Sequence, residues 1–346
     1  MRPSAADRTL ARPSHQQPLK QGGFVGGQWA LGHRLNILPA MSELSSISKT
    51  KAARPQHLDP LAVLRHARRL AQAPAEPWLH AEVAQRMVER LSIIKLQPRR
   101  VLRWSDFLGG GGAALAAAYP DAEQVCVEWS PPLLERSRQE QKRGWWDALR
   151  RKAEVQVLAP QDVVNAQFEL VWANMCLHSS SDLPGTLAAW SAALAVDGFV
   201  MFSCIGPDSL VELRPLYAAQ GWGRPAPAWW DMHDVGDLMA EAGFADPVMD
   251  QERISLTWAD AESLLKDLRA LGGNLAPERF AGCRGKTWHR QLLDALEGLR
   301  ASDGRLHLSL ELVFGHAFKS VPKPRLSAET SVSLEQMRAM VRRSGA

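Results

Sequence analysis

The fold is indicated by a short apolar run that leads into four consecutive glycines, Val101-Leu102-Arg103-Trp104-Ser105-Asp106-Phe107-Leu108-Gly109-Gly110-Gly111-Gly112. An Ala-rich helical stretch follows and ends at Tyr119-Pro120. Glycines between a strand and a helix let the backbone approach a nucleotide closely, and they expose N–H donors at the start of the helix. A glycine run is equally compatible with a flexible turn. The loop by itself therefore leaves nucleotide binding open.

Beyond Pro98, short apolar runs of strand type alternate with helical patterns. We predict strands at 101–104, 124–128, 155–158, 168–173, 198–203, about 245–253, and 308–318, and helices near 111–119, 132–141, 183–194, 208–219, 233–242, 259–271 and 286–301. Such alternation predicts a mostly parallel sheet with helices on both faces. The last run alternates apolar and polar residues after the turn signal Asp303-Gly304, which predicts an antiparallel final strand. We therefore expect a Rossmann-like α/β fold with seven strands.

The ends of the chain differ in composition from this middle part. Residues 1–58 are rich in Pro, Gly, Ser, Gln and basic residues and have few acids, so we expect either disorder or a misplaced start, with Met41 as the true first residue. We expect one domain over 59–319 and a C-terminal tail with a short helix over 320–346.

Composition limits the classes of function. No apolar run approaches the roughly 18 residues that span a bilayer, so we expect no membrane association. The net charge of +4 over 346 residues is typical of a soluble protein and does not call for a nucleic acid partner. The four cysteines are far apart and predict neither a zinc site nor disulfides, which favours a reducing, cytoplasmic setting.

Polar residues directly follow two of the predicted strands. Glu128 ends the second strand about twenty residues after the glycine loop, where an acid accepts hydrogen bonds from a ribose; it could equally cap the next helix. Asn174 follows the fourth strand, and either faces a ligand or holds the loop backbone. His178 lies four residues further on, and is a candidate acid or base or an ordinary loop residue.

A set of motifs after the fourth strand gives a more specific signal than any single residue. These motifs resemble the malonyl-acyl-carrier-protein O-methyltransferases of biotin synthesis, the BioC family, and the similarity runs in order from about Leu79 to Lys319. A weaker resemblance is to a complex I assembly factor that hydroxylates an arginine. The motifs are Asp182-Leu183-Pro184, Asp197-Gly198-Phe199-Val200-Met201-Phe202-Ser203, the run 206–214, Asp231-Met232-His233-Asp234, Ala242-Gly243-Phe244, Leu268-Arg269-Ala270-Leu271-Gly272 and Asp303-Gly304-Arg305.

The resemblance implies a Rossmann-like methyltransferase fold with S-adenosyl-L-methionine (SAM) as cofactor. It implies methylation of the free carboxylate of a malonyl thioester on an acyl carrier protein, or of another small carboxylate. Lys266 and Arg269 lie where the family carries basic residues, and they either hold the anionic substrate or are surface cations. Asp162 is the acid available for the adenine contact. Catalysis would come mostly from positioning, since the cofactor already activates the methyl group.

The glycine loop departs from the family pattern of an acid followed by Gly-x-Gly-x-Gly. Those places hold Arg103, Ser105, Phe107 and Gly109, so only the last glycine is retained. Arg103 reverses a charge that meets the ammonium of the cofactor, and Phe107 puts a ring at its amino-acid end. Either a rebuilt loop makes the cofactor contacts through Ser105, Asp106 and the amides from Gly109 and Gly110 to Gly112, or the chain is an inactive assembly or binding protein of this fold, or the pocket serves another chemistry.

Overall fold

The computed structural model describes residues 58–141, 155–163 and 168–321. The predicted tails therefore lie almost wholly outside the described residues. Seven strands form one sheet in the order β3-β2-β1-β4-β5-β7-β6. They are β1 Arg100–Trp104, β2 Glu123–Val127, β3 Gln156–Leu158, β4 Phe168–Ala173, β5 Leu194–Ile205, β6 Phe244–Trp258 and β7 Leu306–Lys319.

The strand directions confirm the predicted Rossmann-like class. β1 pairs in parallel with β2 and β4, and β4 pairs in parallel with β5. β7 is antiparallel to both of its neighbours, β5 and β6. The sheet grows outward in both directions from the β1–β4 pair, so this pair is the point where the strand order reverses and where open α/β sheets bind ligands.

Helices flank the sheet, and those that begin after Gly111 match the predicted segments within a few residues, except at 208–219. They are α1 Pro60–Ala71, α2 Trp78–Leu91, α3 Asp106–Gly109, α4 Gly112–Ala118, α5 Pro131–Gln141, α6 Leu183–Ala193, α7 Leu213–Ala219, α8 Met232–Glu241, α9 Ala261–Leu271 and α10 Lys286–Glu297. Aspartates at 59, 182, 231 and 260 cap four of them by accepting backbone N–H groups of the first turn. Within the described residues, no helix is long and apolar enough to cross a membrane.

One helix is shorter than the sequence predicts. The pattern at 208–219 favours a continuous helix, but α7 begins only at Leu213. Leu210 has a left-handed backbone with φ 53°, which a continuous helix does not allow. The preceding turn is held by Glu311 of β7, whose Oε2 accepts the backbone N–H of Asp208 at 2.7 Å. A contact more than a hundred residues away therefore sets this boundary.

Apolar side chains cover both faces of the sheet. On one face, α2, α4, α9 and α10 pack on the central strands through residues such as Met87, Leu115 and Leu292. On the other face, α6 and α8 pack through Trp190 and Met239. Burial on both faces fixes the strand ends in space, and the candidate site lies at the carboxyl ends of β1 to β4.

Candidate functional site

The glycine loop folds into a short helix rather than an open turn. Ser105 leaves β1 with a left-handed backbone at φ 58°, and α3 then occupies Asp106–Gly109. Gly110 and Gly111 also have positive φ, at 64° and 79°. A Cβ on Gly111 would lie 2.7 Å from the Cβ of Ala84 on α2. Glycine at 111 is thus required both by its backbone angle and by the close approach of α2.

Arg103 forms a buried ion pair inside this loop. Its Nη1 lies 3.2 Å from Oδ1 of Asp106, and its Nη2 donates to Sγ of Cys126 at 2.8 Å. A Cβ on Gly112 would lie 1.7 Å from Nη1, so the guanidinium occupies the space beside the start of α4. Burial by itself lowers the pKa of Arg103, but Asp106, Cys126 and Glu128 raise it above its ordinary value. The charge that Arg103 introduces is therefore compensated three residues later.

Glu128 is covered by the same loop. Its Oε1 accepts the backbone N–H of Phe107 at 2.7 Å and the hydroxyl of Ser137 at 2.8 Å. Its Oε2 is buried and has no hydrogen-bond partner among the described residues, and the residue is 1% exposed. Burial raises the pKa of Glu128 to about 8, so the carboxyl carries its proton at neutral pH.

The ring of Phe107 packs within the protein rather than standing free in the loop. It belongs to a small buried cluster with Ala67 and Leu70 of α1 and Leu133 of α5. The guanidinium of Arg136 lies 4.7 Å from the ring centroid. Phe107 thus fastens the loop to α1 and α5 through its side chain, and to Glu128 through its backbone.

Asn174 holds the loop backbone. Its Nδ2 donates to the carbonyl oxygens of His80 at 2.7 Å and Gly109 at 2.5 Å. Its Oδ1 accepts the hydroxyl of Ser203 at 2.6 Å, and the residue is fully buried. Of the two roles open to Asn174, this geometry is that of a brace between the glycine loop, α2 and β5.

A cavity of about 360 Å³ opens at the carboxyl ends of the central strands. We call it the strand-end cavity. Trp104, Trp129, Pro160 and Cys176 bring to it the ends of β1, β2, β3 and β4, which is the reversal point of the sheet. Its other lining residues are Val63, Ser179, Ser180, Ser181, Asp182, Gly185, Thr186 and Ala189. Asp162 is exposed beside this cavity without lining it, and its carboxylate accepts the N–H of Ala159 at 3.4 Å.

A second cavity, of about 290 Å³, lies between α1, α7 and α9. We call it the histidine cavity, because His66 and His178 line it. Arg69 and Arg269 also line it, together with mainly apolar residues such as Trp229. Lys266 lies on α9 but is exposed and is not among the lining residues. Of the three predicted substrate residues, the structure brings His178 and Arg269 together.

The histidines near this cavity are uncharged at neutral pH. Burial lowers the pKa of His66 and of His80 to about 4, and the pKa of His178 well below its ordinary value. His80 donates from Nδ1 to the carbonyl of Leu108 at 2.7 Å, which fixes its tautomer because a carbonyl only accepts. His178 lies on the 3-10 turn Leu177–Ser179 between the two cavities. Its neighbours Cys176 and Ser179 line the strand-end cavity.

Sequence reasoning missed Arg69 and His66, which both lie on α1. The repeated arginines of this helix indicate a solvent-facing side, and nothing in the local pattern separates Arg69 from Arg65 and Arg68. The distinction arises because α9, some two hundred residues later in the chain, lines the same cavity as Arg69. Arg69 could have been identified only from its place at the same cavity as the predicted residue Arg269.

Comparisons with known proteins complete this geometry. No protein-family model matches the chain. The chain is 36% identical over 254 residues to a malonyl-acyl-carrier-protein O-methyltransferase of Gallionella capsiferriformans, covering 72% of this chain and 87% of that protein. The chain belongs to this family. A second member, from Halorhodospira halophila, is 37% identical over 280 residues, which cover 77% of this chain and 91% of that protein.

Family membership confirms the resemblance carried by the motifs after Asp182, and it does not favour an inactive assembly protein. Among solved structures, the chain is similar to the N-methyltransferase NodS of Bradyrhizobium japonicum, with a TM-score of 0.38, 14% identity, and coverage of 73% of this chain and 98% of that chain. The two family members named above match this chain over 87% and 91% of their own length.

Proposed function

We propose that this protein transfers the methyl group of SAM to the free carboxylate of a malonyl group held as a thioester on an acyl carrier protein. The observation that carries the proposal is the match to named malonyl-acyl-carrier-protein O-methyltransferases over 84% to 91% of their length. We place the reaction in biotin synthesis and in the cytoplasm, in keeping with the family motifs and the scattered free cysteines.

The residues at the sheet edge fit the cofactor in their chemistry. Glu128 offers a carboxyl oxygen, Oε2, that is buried and lacks a partner in the described part of the chain. The strand-end cavity has aromatic walls at Trp104 and Trp129 for a purine ring, and its volume lies within the range of small-molecule sites. We assign Glu128 to the ribose and the strand-end cavity to the adenine, with Asp162 at its edge. We further propose that Ser105, Asp106, Gly109 and Gly110 contact the amino-acid end.

The loop conformation adds a condition to this assignment. Phe107 and Ser137 both donate to Glu128, so its carboxyl is covered. We infer that cofactor binding displaces the backbone of α3, with Asn174 holding the far end of the loop at Gly109.

The two cavities suggest how the reactants meet. When bound, SAM supplies a methyl group activated by its sulfonium, and no base is needed because a carboxylate is already a nucleophile. The turn Leu177–Ser179 separates the strand-end cavity from the histidine cavity, so a methyl donor in the first and a carboxylate in the second would meet near His178. The neutral histidines put no positive charge next to the sulfonium. Positioning and charge then account for the rate.

Binding of S-adenosylhomocysteine is the first test. Trp104 and Trp129 line the cavity, so titration should change the intrinsic fluorescence, with calorimetry as a second readout. Glu128→Ala should weaken binding by about 10- to 100-fold, since a hydrogen bond to a charged or buried acceptor is lost. Glu135→Ala, an exposed acid of α5, is the matched control. An unchanged affinity of Glu128→Ala would remove Glu128 from the ribose site.

Methyl transfer is the second test. The wild-type chain is incubated with methyl-labelled SAM and malonyl-acyl carrier protein, and the label should appear in a base-labile ester on the carrier. The malonyl methyl ester of the carrier should accept no label. Absence of transfer, together with absence of SAM binding at millimolar concentration, would overturn the proposed function.

A further inference from the structure

Two guanidinium groups line the histidine cavity, and no acid of the described residues pairs with either of them. Arg69 is in the last turn of α1 and Arg269 is in the last turn of α9, and both line the cavity. Desolvation, and after it the charge of Arg269, lower the pKa of Arg69. Both residues are exposed, so solvent screens their like charges in part, and together they make this part of the cavity wall positive.

Several other arginines of the described chain are neutralised by acids. Arg86 and Arg90 of α2 pair with Glu252 on β6, and Arg279 pairs with Asp59 at the start of α1. Among residues 58–141, 155–163 and 168–321, neither Arg69 nor Arg269 has an ion-pair or hydrogen-bond partner. The cavity is therefore lined by two positive charges that the described residues leave uncompensated, which suits an anionic ligand.

The rest of the cavity defines what kind of ligand fits. Its walls are mainly apolar, and the Nδ1 atoms of His66 and His178 are buried without a partner in the described chain. No group of three His, Cys, Asp or Glu side chains in that part of the chain could hold a metal ion. Two unpaired cations and two unsatisfied ring nitrogens around an apolar space suit an oxyanion on a short chain.

We propose that Arg69 and Arg269 together bind the free carboxylate of the acyl substrate, which makes Arg69 a specificity-determining residue of the reaction. This inference rests on the proposed function and adds to it a residue from a helix with no predicted role. A carboxylate has about four acceptor positions, so two guanidinium groups leave an oxygen electron pair free to attack the methyl group. The carbon chain and thioester would then lie against the apolar wall.

A binding experiment without SAM tests the proposal. The probes are the N-acetylcysteamine thioester of malonate and its methyl ester, which differ only in the carboxylate, titrated into the full chain by calorimetry. Wild-type protein should bind the acid more tightly than the ester by roughly tenfold or more, and Arg69→Gln or Arg269→Gln should each reduce that preference by about 5- to 20-fold. Arg69→Lys should retain part of it.

Arg68→Gln is the matched control, because Arg68 is exposed on the same helix, as Arg69 is, but does not line the cavity. An unchanged preference in Arg69→Gln, or an equal loss in Arg68→Gln, would overturn the proposal. A phosphate from the carrier arm is the other source of an oxyanion. If 4′-phosphopantetheine binding, rather than the acid preference, is lost in Arg69→Gln, the carboxylate assignment is wrong. Failure of methyl transfer alone would count against the proposed function. The preference for the acid over the ester tests separately whether Arg69 and Arg269 bind the carboxylate.

Discussion

The replacement Glu128→Gln should remove a pH dependence of stability at neutral pH. The carboxyl of Glu128 is buried beneath the glycine loop, and burial raises its pKa from 4.5 to about 8. The folded state binds this proton more tightly than the unfolded state does. Proton binding by Glu128 therefore stabilises the fold fully below pH 4.5, and this stabilisation is lost as the pH rises toward 8. Glutamine retains an oxygen that can accept from Phe107 and Ser137, and it does not titrate.

The size of the effect follows from the pKa difference. Each unit is equivalent to about 1.4 kcal/mol, so the full shift sets an upper bound of about 5 kcal/mol on the linkage. Between pH 6.5 and 8, the free energy of unfolding should fall by about 1.5 kcal/mol more in the wild type than in Glu128→Gln. His66 and His80 also titrate with pKa values near 4 in the folded state, but both proteins carry them, so their contribution cancels in the difference.

Urea unfolding at pH 5.5, 6.5, 7.5 and 8 gives the free energies to be compared. The difference between the two proteins should change in favour of Glu128→Gln as the pH rises, and Glu135→Gln should show no such trend. Parallel curves for wild type and Glu128→Gln would show that Glu128 is ionised in the folded protein. The covered state of its carboxyl, and with it the inferred displacement of α3, would then be wrong.

Three further changes test the loop and the histidine cavity. Arg103→Met should lower the free energy of unfolding by about 3 to 5 kcal/mol in urea titrations by leaving Asp106 without its partner, and adding Asp106→Asn should recover much of that loss. Asn174→Asp should cost about 2 to 4 kcal/mol in the same assay, because two donors to the carbonyl oxygens of His80 and Gly109 are lost; a loss no larger than that of an exposed Asn→Asp change would contradict the brace. Gly272→Ala should lower the melting temperature by several degrees, since φ is 136° there and the new Cβ would lie 2.3 Å from the His66 ring. An unchanged melting temperature would contradict the close contact between Gly272 and His66.

The arrangement of strands and helices could be predicted from the sequence because it depends on local periodicity. Strand runs such as Phe168–Ala173 match to the residue, and Asp182 and Asp260 mark helix starts through capping. The failure at 208–212 has a distant cause, since Glu311 of β7 holds that turn. Local patterns carry no information about such a contact.

Of the candidate site, only the residues that directly follow a strand could be predicted from the sequence. Glu128 and Asn174 lie at the edge that the strand pattern indicates, but their partners could not be read from it. The four-residue helix α3 brings Asp106 to Arg103 and the Phe107 amide to Glu128, and a helix of one turn has no period to detect. The histidine cavity is lined by both α1 and α9, so the place of Arg69 beside it is visible only in the folded chain.

The buried ion pair also limits what the loop contributes to cofactor affinity. The loop pattern that the family resemblance implies has an acid where this chain has Arg103, and such an acid would present a negative charge to the ammonium of the cofactor. Here the charges of Arg103 and Asp106 cancel, because the two groups form a buried ion pair 3.2 Å apart. Compensation restores the fold of the loop without restoring its attraction for a cation. We therefore expect the affinity for SAM to depend mainly on Glu128 and the strand-end cavity, and Arg103→Asp, which would set two acids side by side, to destabilise the loop rather than improve binding.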